Sequence, residues 1–234
     1  MLKGGDRSSK LKNAKLGILM LDNQFHRPIG DIGNKNTFSF PVAYKTVVGA
    51  TINRAVREAD PCLVEEFIKT AKEFEDEGIQ AISMSCGFLA IFQKEIQTSL
   101  HVPFLSSSLL QIPLISMIAG EPIGVITASK MSLTIDHLKG VHALGHQLII
   151  EGMDEMTNFT GAIIEETIAL NEAAVYEEMK IVTTKLIKDN PDVKAIVLEC
   201  TNMPPYVKAI REITNIPIFD SNTLIESVYR SLPD

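Results

Sequence analysis

Two cysteines stand at positions from which a thiol could act on a substrate. Cys86 follows the apolar segment "AISMS" and Cys200 follows "AIVLE", and an amphipathic segment comes after each of them. The unperturbed pKa of a thiol is about 8.5, so one member of a pair can ionise while the other stays protonated. A thiolate could remove a proton from a carbon atom, and a thiol on the opposite side could return one and invert the centre. The pair predicts acid–base chemistry if the fold brings both thiols to one site.

The surrounding pattern alternates short β-branched segments with longer amphipathic ones, which is typical of βαβ units and a parallel sheet. The pattern predicts strands over residues 16–21, 45–49, 79–83, 103–105, 123–127, 147–151, 193–198 and 216–219. It predicts helices over residues 61–77, 88–99, 109–118, 133–144, 167–188, 205–213 and 223–231. The fold class is therefore α/β.

An internal repeat relates the two thiols. Residues 78–112 align with residues 192–226 without a gap, at an offset of 114, and eight of the 35 aligned positions are identical, Cys86 and Cys200 among them. The strands "LGIL" (16–19) and "IGVI" (123–126) repeat more loosely at an offset of 107. The chain is expected to consist of two related α/β halves, each of an ordinary domain size.

The repeat places both thiols at equivalent points, where a strand ends and a helix begins. That edge of a parallel sheet is where open α/β folds bind ligands, and the amides at a helix start favour anions. A single such cysteine is more often a small buried apolar residue, but its recurrence in both halves favours a shared role in one cleft. Amides after the two cysteines would stabilise negative charge on a substrate carboxylate. This chemistry needs no cofactor and no metal, and neither is expected.

Composition limits the partners. The formal charge is −7 and the pI about 5.3, and no Lys/Arg cluster offsets the acidic balance, so neither nucleic acid nor a membrane is an expected partner. The three cysteines are expected to be free thiols, since no C-x-x-C motif and no zinc-ligand spacing occurs. The N-terminal segment lacks the apolar core of a secretory signal, which favours a cytoplasmic location.

Duplicated halves with "SCGFLA" around the first thiol and "ECTNMPPY" around the second resemble the aspartate/glutamate/hydantoin racemase superfamily of cofactor-independent two-cysteine enzymes. The resemblance implies two pseudo-symmetric Rossmann-like domains with parallel sheets, the active site in the cleft between them, and a homodimer. The first domain would comprise residues 14–118 together with 216–234, because the last strand and helix return to it, and the second would comprise 119–215.

The resemblance also implies roles for individual residues. Cys86 and Cys200 would be the two acid–base groups acting on a small carboxylate substrate. The residues that would bind this substrate lie beside the thiols or after the first strand of each half: Asp22, Asn23, Gly87, Phe88, Thr127, Ser129, Thr201 and Asn202. Glutamate racemases resemble C-N-T and C-T-H at the two motifs, whereas Gly87-Phe88 and Asn202 stand here, which disfavours glutamate as substrate.

These observations predict a racemase or epimerase that inverts the α-carbon of a small carboxylic acid, such as an amino acid or a hydantoin-like compound. A decarboxylase or cis-trans isomerase of the same superfamily, or a non-catalytic small-molecule binding domain, remains an alternative. The irregular segment 23–44 would form a lid, a second wall of the pocket or a surface Ω-loop. Within it, Asp31 is expected to be a turn residue. Strand alternation is expected to turn Glu199 away from the thiols.

Overall fold

The computed structural model describes residues 14–233. The N-terminal segment in which no secretory signal was expected lies largely outside these residues, as does Asp234. Two parallel four-stranded sheets form the framework, and helices cover their faces. The expected α/β architecture with two parallel sheets is confirmed.

The two sheets have the same strand order. In the first sheet the order is β2-β1-β3-β4, and the strands are β1 (Leu16–Met20), β2 (Val42–Thr46), β3 (Ala81–Met84) and β4 (Phe104–Leu105). In the second sheet the order is β6-β5-β7-β8, and the strands are β5 (Ile123–Thr127), β6 (Leu148–Gly152), β7 (Ala195–Leu198) and β8 (Ile218–Phe219). The repeat read from sequence is therefore a structural repeat.

The pairing register is repeated as well. Leu16 is paired with Ala81 in the first sheet, and Ile123 is paired with Ala195 in the second. These are equivalent positions, at the offsets of 107 and 114 already seen in the sequence. Identical register places the ends of β3 and β7, and hence the residues that follow them, at equivalent points of the two sheets.

Helices and turns connect the strands. The α-helices are α1 (Leu63–Asp76), α2 (Gln93–Thr98), α3 (Ile112–Ala119), α4 (Ile135–Gly140), α5 (Thr157–Phe159), α6 (Glu172–Asp189), α7 (Val207–Arg211) and α8 (Ser221–Ser231). Segments with 3₁₀ hydrogen bonding cover Gly87–Phe92, Ser108–Gln111 and Pro204–Tyr206, and two π-type turns cover Asn53–Arg57 and Thr160–Ile164. None of the helices formed by residues 14–233 is long and apolar enough to cross a bilayer.

Two equivalent glycines bring helices close to the central strands. Gly17 in β1 lies so near Phe74 of α1 that an added Cβ would be 2.7 Å from the ring, and Gly124 in β5 stands in the same relation to Leu186 of α6. A glycine inside a strand commonly marks such a close approach. In both halves the missing side chain lets a large apolar side chain of the covering helix pack directly on the strand.

The last strand departs from the expected domain boundary. Ile218 and Phe219 of β8 pair with β7 in the second sheet, so the expectation that the last strand returns to the first domain is wrong. The following helix α8 does return, because Ile225 packs with Leu16 and Ile18 of β1. The chain therefore crosses between the halves after Phe219.

Further elements differ from the predicted ones. β2 occupies 42–46, whereas the pattern predicts a strand at 45–49. The pattern predicts neither the turn Asn53–Arg57 nor the helical segment that contains α5 and the turn Thr160–Ile164. Segment 23–41 contains neither helix nor strand, as expected from its irregular composition.

Candidate active site

Both expected thiols line one cleft between the two sheets. Cys86 lies two residues beyond β3 and Cys200 two residues beyond β7, and their exposed fractions are 7% and 8%. The cleft is narrow and is open to solvent on one side. The repeat thus brings its two cysteines to a common cavity, as a site built at the carboxyl ends of parallel strands requires.

The apolar part of the cleft wall comes from both halves, and four of its residues form equivalent pairs. Leu21 and Ala128 are repeat equivalents that follow the first strand of each half, and Val56 and Ile163 are equivalents from the two π-type turns. Three more apolar side chains complete the walls: Ile52, Phe88 and Ile164. π-type turns are frequent at functional sites, and here each of them presents apolar side chains to the cavity.

Cys86 is held near backbone amides in a dry environment. Burial, and next the carboxylate of Glu199, raise the pKa of its thiol to about 12. The nearby amides of Phe88 and Leu89 oppose that rise, as does the positive charge of Arg27. A thiolate at this position would therefore be strongly basic, and these two amides lie where they would favour its negative charge.

Cys200 has a different hydrogen-bond partner. Its thiol donates to Oδ1 of Asn202 at 3.3 Å, which requires the protonated form. Burial, and after it the Glu199 carboxylate, raise the pKa of this thiol well above its ordinary value, while the amide of Asn202 opposes the rise. Cys86 also contributes to raising it, which indicates that the two sulfurs are within electrostatic reach of each other.

Glu199 faces the cleft, so the expectation from strand alternation is wrong. β7 ends at Leu198, so Glu199 lies beyond the last paired residue and the alternation of faces does not govern it. Its side chain is fully buried, and burial raises its pKa to about 7. Oε2 accepts hydrogen bonds from the hydroxyl of Thr127 at 2.9 Å and the amide of Ala128 at 3.5 Å, whereas Oε1 has no partner.

The first half has a serine where the second half has this glutamate. Ser85 and Glu199 are equivalent at the offset of 114, and both line the cleft. Oγ of Ser85 accepts a hydrogen bond from the amide of Leu21 at 2.9 Å, as Glu199 accepts one from the equivalent Ala128. The main-chain arrangement is preserved, but only the second half adds an acidic group.

Gly87 is required by the same glutamate. A Cβ at position 87 would collide with both Oε1 and the main-chain oxygen of Glu199. The glycine after the first thiol therefore reflects close packing across the two halves.

A polar network connects the irregular segment to the second thiol. Nδ2 of Asn202 donates to Oδ2 of Asp31 at 2.6 Å, and Nη1 of Arg27 donates to Oδ1 of Asp31 at 2.9 Å. Nη2 of Arg27 donates to Oδ1 of Asn23 at 2.9 Å, and Asn23 lines the cleft. Asp31 also accepts from the amide of Gly33, so it is a turn residue as expected and at the same time holds the partner of Cys200 in place. Segment 23–41 thus contributes Asn23 to the lining of the cleft and, through Asp31, holds Asn202 beside it.

The structure brings together only part of the expected binding set. Asn23, Gly87, Phe88 and Asn202 line the cleft with both thiols. The other four do not line it, because each has a different local role. Asp22 is exposed and accepts from the amide of Gly49 at 2.9 Å, Thr127 donates to Glu199, Ser129 donates to Asp154 at 2.7 Å, and Thr201 donates to the carbonyl oxygen of Ser85 at 2.8 Å.

Two buried hydrogen bonds cross between the halves below the cleft. The hydroxyl of Thr201 donates to the carbonyl oxygen of Ser85, and the hydroxyl of Ser108 donates to the carbonyl oxygen of Leu198 at 2.6 Å. Each half thus supplies a donor to the strand end of the other.

Among residues 14–233 no group of three or more His, Cys, Asp and Glu side chains could hold a metal ion.

The Asp/Glu/hydantoin racemase family model matches residues 48–225, more than half of the chain. The chain belongs to this family. Its fold is similar to that of an aspartate racemase homologue from Pyrococcus horikoshii OT3, with a TM-score of 0.56 and 17% identity over 92% of this chain and 99% of that one. Recognition of the family from the two cysteine motifs is confirmed.

Several relatives of this chain are named as lyases and not as racemases. The chain is 27% identical to a dimethylsulfoniopropionate lyase from Durusdinium sp. clade D, over 97% of this chain and 78% of the relative. It is 29% identical to dimethylsulfoniopropionate lyase 7 from Emiliania huxleyi, over 94% of this chain and 67% of the relative. Proteins named as lyases are therefore similar to this chain over most of its length.

Proposed function

We propose that the protein is a cofactor-independent enzyme that removes a proton from the α-carbon of a small carboxylate, and that it acts as a lyase on dimethylsulfoniopropionate. The observation that carries the proposal is the pair of buried thiols on one cleft, Cys86 close to the amides of Phe88 and Leu89 and Cys200 donating to Asn202. The names of the curated relatives supply the substrate.

Cys86 is assigned as the base. An α-proton beside a carboxylate is weakly acidic, so a base of high pKa in a dry site is needed to remove it. The thiol of Cys86 has that raised pKa, and the amides of Phe88 and Leu89 would stabilise the thiolate. Cys200 serves as the neutral thiol, because its proton is engaged with Asn202.

The reaction is a β-elimination. The Cys86 thiolate takes the α-proton, and the electron pair of the Cα–H bond becomes the second Cα–Cβ bond. The Cβ–S bond breaks, and its electron pair leaves on neutral dimethyl sulfide, so that acrylate remains. The proton on Cys86 then passes to water. The leaving group departs without protonation, and a single base is sufficient.

The asymmetry of the cleft favours elimination over inversion. Inversion in both directions needs two faces that exchange the roles of acid and base, whereas here one thiol has Ser85 beside it and the other has Glu199. The apolar walls suit S-methyl groups, which cannot hydrogen-bond. Within the described part of the chain, the cleft lining contains no Lys, Arg or His to receive a second carboxylate.

A direct assay tests the proposal. Purified protein is mixed with dimethylsulfoniopropionate, dimethyl sulfide is measured in the headspace by gas chromatography, and acrylate is measured by proton NMR. Equal amounts of both products, absent with Cys86→Ser, are expected. Absence of both products at high protein concentration, with a folded protein, would contradict the lyase assignment.

Racemisation or epimerisation is the second candidate, favoured by the placement of equivalent thiols from two duplicated halves on one cleft. Its signature is different. A chiral acid in deuterated water would exchange its α-proton and lose optical activity without releasing a sulfide, and both thiols would be required equally. A panel of amino acids and hydantoins run beside the lyase assay distinguishes the two reactions.

A further inference from the structure

Glu199 is an acidic group that the proposed elimination does not itself use. It is fully buried, lines the cleft between the two thiols and leaves Oε1 without a hydrogen-bond partner. Its other oxygen is held by Thr127 and Ala128, so the carboxylate is fixed in position. A buried ionised carboxylate is unfavourable unless a cation pairs with it. Among the described residues that line the cleft there is no Lys, Arg or His to do so.

The walls beside this carboxylate indicate what kind of cation fits. A primary ammonium group has three N–H donors and needs acceptors for all of them. The cleft offers few, because Oδ1 of Asn23 already accepts from Arg27 and Oδ1 of Asn202 already accepts from Cys200. A methylated cation needs no acceptors, and its methyl groups can pack against side chains such as Val56 and Ile163.

We propose that Glu199 is the counter-charge for a methylated onium group, sulfonium or quaternary ammonium, and thereby sets the substrate class of the cleft. The proposal rests on the proposed function for the carboxylate end of the ligand and adds the recognition of its cationic end. Glu199 also disfavours dicarboxylates, because a second carboxylate would meet a fixed charge of the same sign.

The pairing has a consequence for the thiols. The charge of Glu199 raises the pKa of both Cys86 and Cys200. A bound onium group would neutralise that charge and lower the pKa of the thiols, so that the base ionises when the substrate is present. The substrate's own charge would thus help to activate the residue that attacks it.

The test measures binding without turnover, in a Cys86→Ser background, by isothermal titration calorimetry. Three probes share one propionate chain: dimethylsulfoniopropionate, 3-(trimethylammonio)propionate and 4-methylpentanoate, which is the uncharged isostere of the first. Both onium probes are expected to bind at least about tenfold more tightly than the isostere. Glu199→Gln in the same background should weaken the binding of the onium probes by about 10- to 100-fold and should change the affinity for the isostere by less than about twofold.

A matched variant controls for the loss of one negative charge. Glu165 is exposed near the turn Thr160–Ile164, does not line the cleft and pairs with Arg57 at 3.7 Å. Glu165→Gln should keep the preference for onium probes. Equal affinity for onium and isostere in the background protein, or an unchanged preference in Glu199→Gln, would overturn the proposal.

A pH series gives a second measurement that does not depend on the folding of the Gln variant. Binding of the onium probes should tighten about tenfold from about pH 6 to about pH 8, as Glu199 ionises, and binding of the isostere should not. The other charged or titratable groups that reach the site are Cys200, Arg27 and Asp31, and they are common to both probes. Identical pH profiles for the two kinds of probe would contradict the role of Glu199.

Failure of this inference can be told from failure of the proposed function. Onium preference that depends on Glu199 without release of dimethyl sulfide by the unsubstituted protein would leave the inference standing and remove the lyase assignment. Release of dimethyl sulfide together with onium binding that does not depend on Glu199 would support the lyase assignment and overturn the inference.

Discussion

In the first half of the molecule the residue before the cleft thiol is Ser85, and in the second half the residue at the equivalent position is Glu199. The two strands that precede them pair in the same register, and each thiol follows its strand by two residues. Equivalent amides, those of Leu21 and Ala128, donate to the two side chains. The residues after the thiols also diverge, to Gly87 in one half and Thr201 in the other. The comparison teaches that the framework which places two thiols is shared, whereas the groups that decide their protonation are not.

The comparison also separates what a repeat must keep from what it can change. Gly17 and Gly124 are both retained because large side chains of α1 and α6 occupy the space where a Cβ would be. Gly87 has no equivalent glycine: a Cβ at that position would meet both the carboxylate and the main-chain oxygen of Glu199, whereas the equivalent residue Thr201 donates its hydroxyl to the main-chain oxygen of Ser85. Packing against the sheet is symmetric, and packing at the floor of the cleft is not.

The largest expected effect comes from removing each thiol separately. Cys86→Ser should lower kcat/KM for the elimination by about 10³- to 10⁴-fold, because it removes the base, and Cys200→Ser by a smaller factor, because that thiol stays protonated. Initial rates of sulfide release measure both. Cys62→Ser is the control, since this third thiol is exposed and remote from the cleft lining, and it should leave the rate unchanged. Equal losses for Cys86 and Cys200 would favour the two-base racemase instead.

The next effect is the pH dependence that Glu199 gives to stability. Its pKa is about 7 when folded, against an ordinary value of 4.5, so the folded protein holds this proton more tightly than the unfolded chain. The free energy of unfolding therefore falls as pH rises from about 4.5 to about 7, by up to about 3 kcal/mol from this group.

Glu199→Gln removes that contribution. The free energy of unfolding of the variant minus that of the unsubstituted protein should be larger at about pH 8 than at about pH 5. Urea unfolding of both proteins at both pH values measures this difference. Other titrating groups are common to both proteins and cancel in the comparison. A stability difference that is constant with pH would show that burial does not raise the pKa of Glu199.

A smaller effect is expected at the hydrogen bonds between the halves. Thr201→Val keeps the shape of the side chain but leaves the buried carbonyl oxygen of Ser85 without its donor, at a cost of about 1–3 kcal/mol in the free energy of unfolding. Thr98→Val is the matched control, because its hydroxyl binds a carbonyl oxygen at an exposed helix end, and it should cost less than about 0.5 kcal/mol. Similar costs for the two variants, measured by denaturant unfolding, would argue against a buried connection.

The smallest effect is expected at a surface contact between the halves. Nε2 of His26 lies 3.0 Å from Oε1 of Glu172, and both side chains are more than half exposed. His26→Ala should change the free energy of unfolding by less than about 0.5 kcal/mol and leave sulfide release unchanged. A clear loss of activity would instead assign this pair a part in closing the cleft.

Much of this arrangement can be predicted from the sequence because strand and helix periodicity is local and the repeat is visible without a structure. The central strands were predicted nearly to the residue, since Ile123–Thr127 and the buried run up to Leu198 are continuous apolar segments. The repeat and the position of the thiols after these strands together predict a common site.

Other features depended on three-dimensional packing. Strand alternation predicts the wrong direction for Glu199, because this residue lies one position past the end of β7. The mismatch between Glu199 and Ser85 in the repeat alignment is the sequence signal that points to it. The family resemblance places β8 in the wrong half, whereas the repeat makes β8 the equivalent of β4 and is consistent with its pairing to β7. Thr127, Ser129 and Thr201 have polar side chains at the right strand ends, but each forms an internal hydrogen bond. The homodimer and the cytoplasmic location stay predictions.

The exchange of hydroxyl donors beneath the cleft means that neither copy in this duplicated chain is self-sufficient. Separated from its counterpart, each sheet would end in a carbonyl oxygen whose donor belongs to the missing half, the main-chain oxygen of Ser85 in one case and that of Leu198 in the other. Each half therefore completes a strand end of the other, and the bond from Thr201 to Ser85 joins the residue after one cleft thiol to the residue before the other.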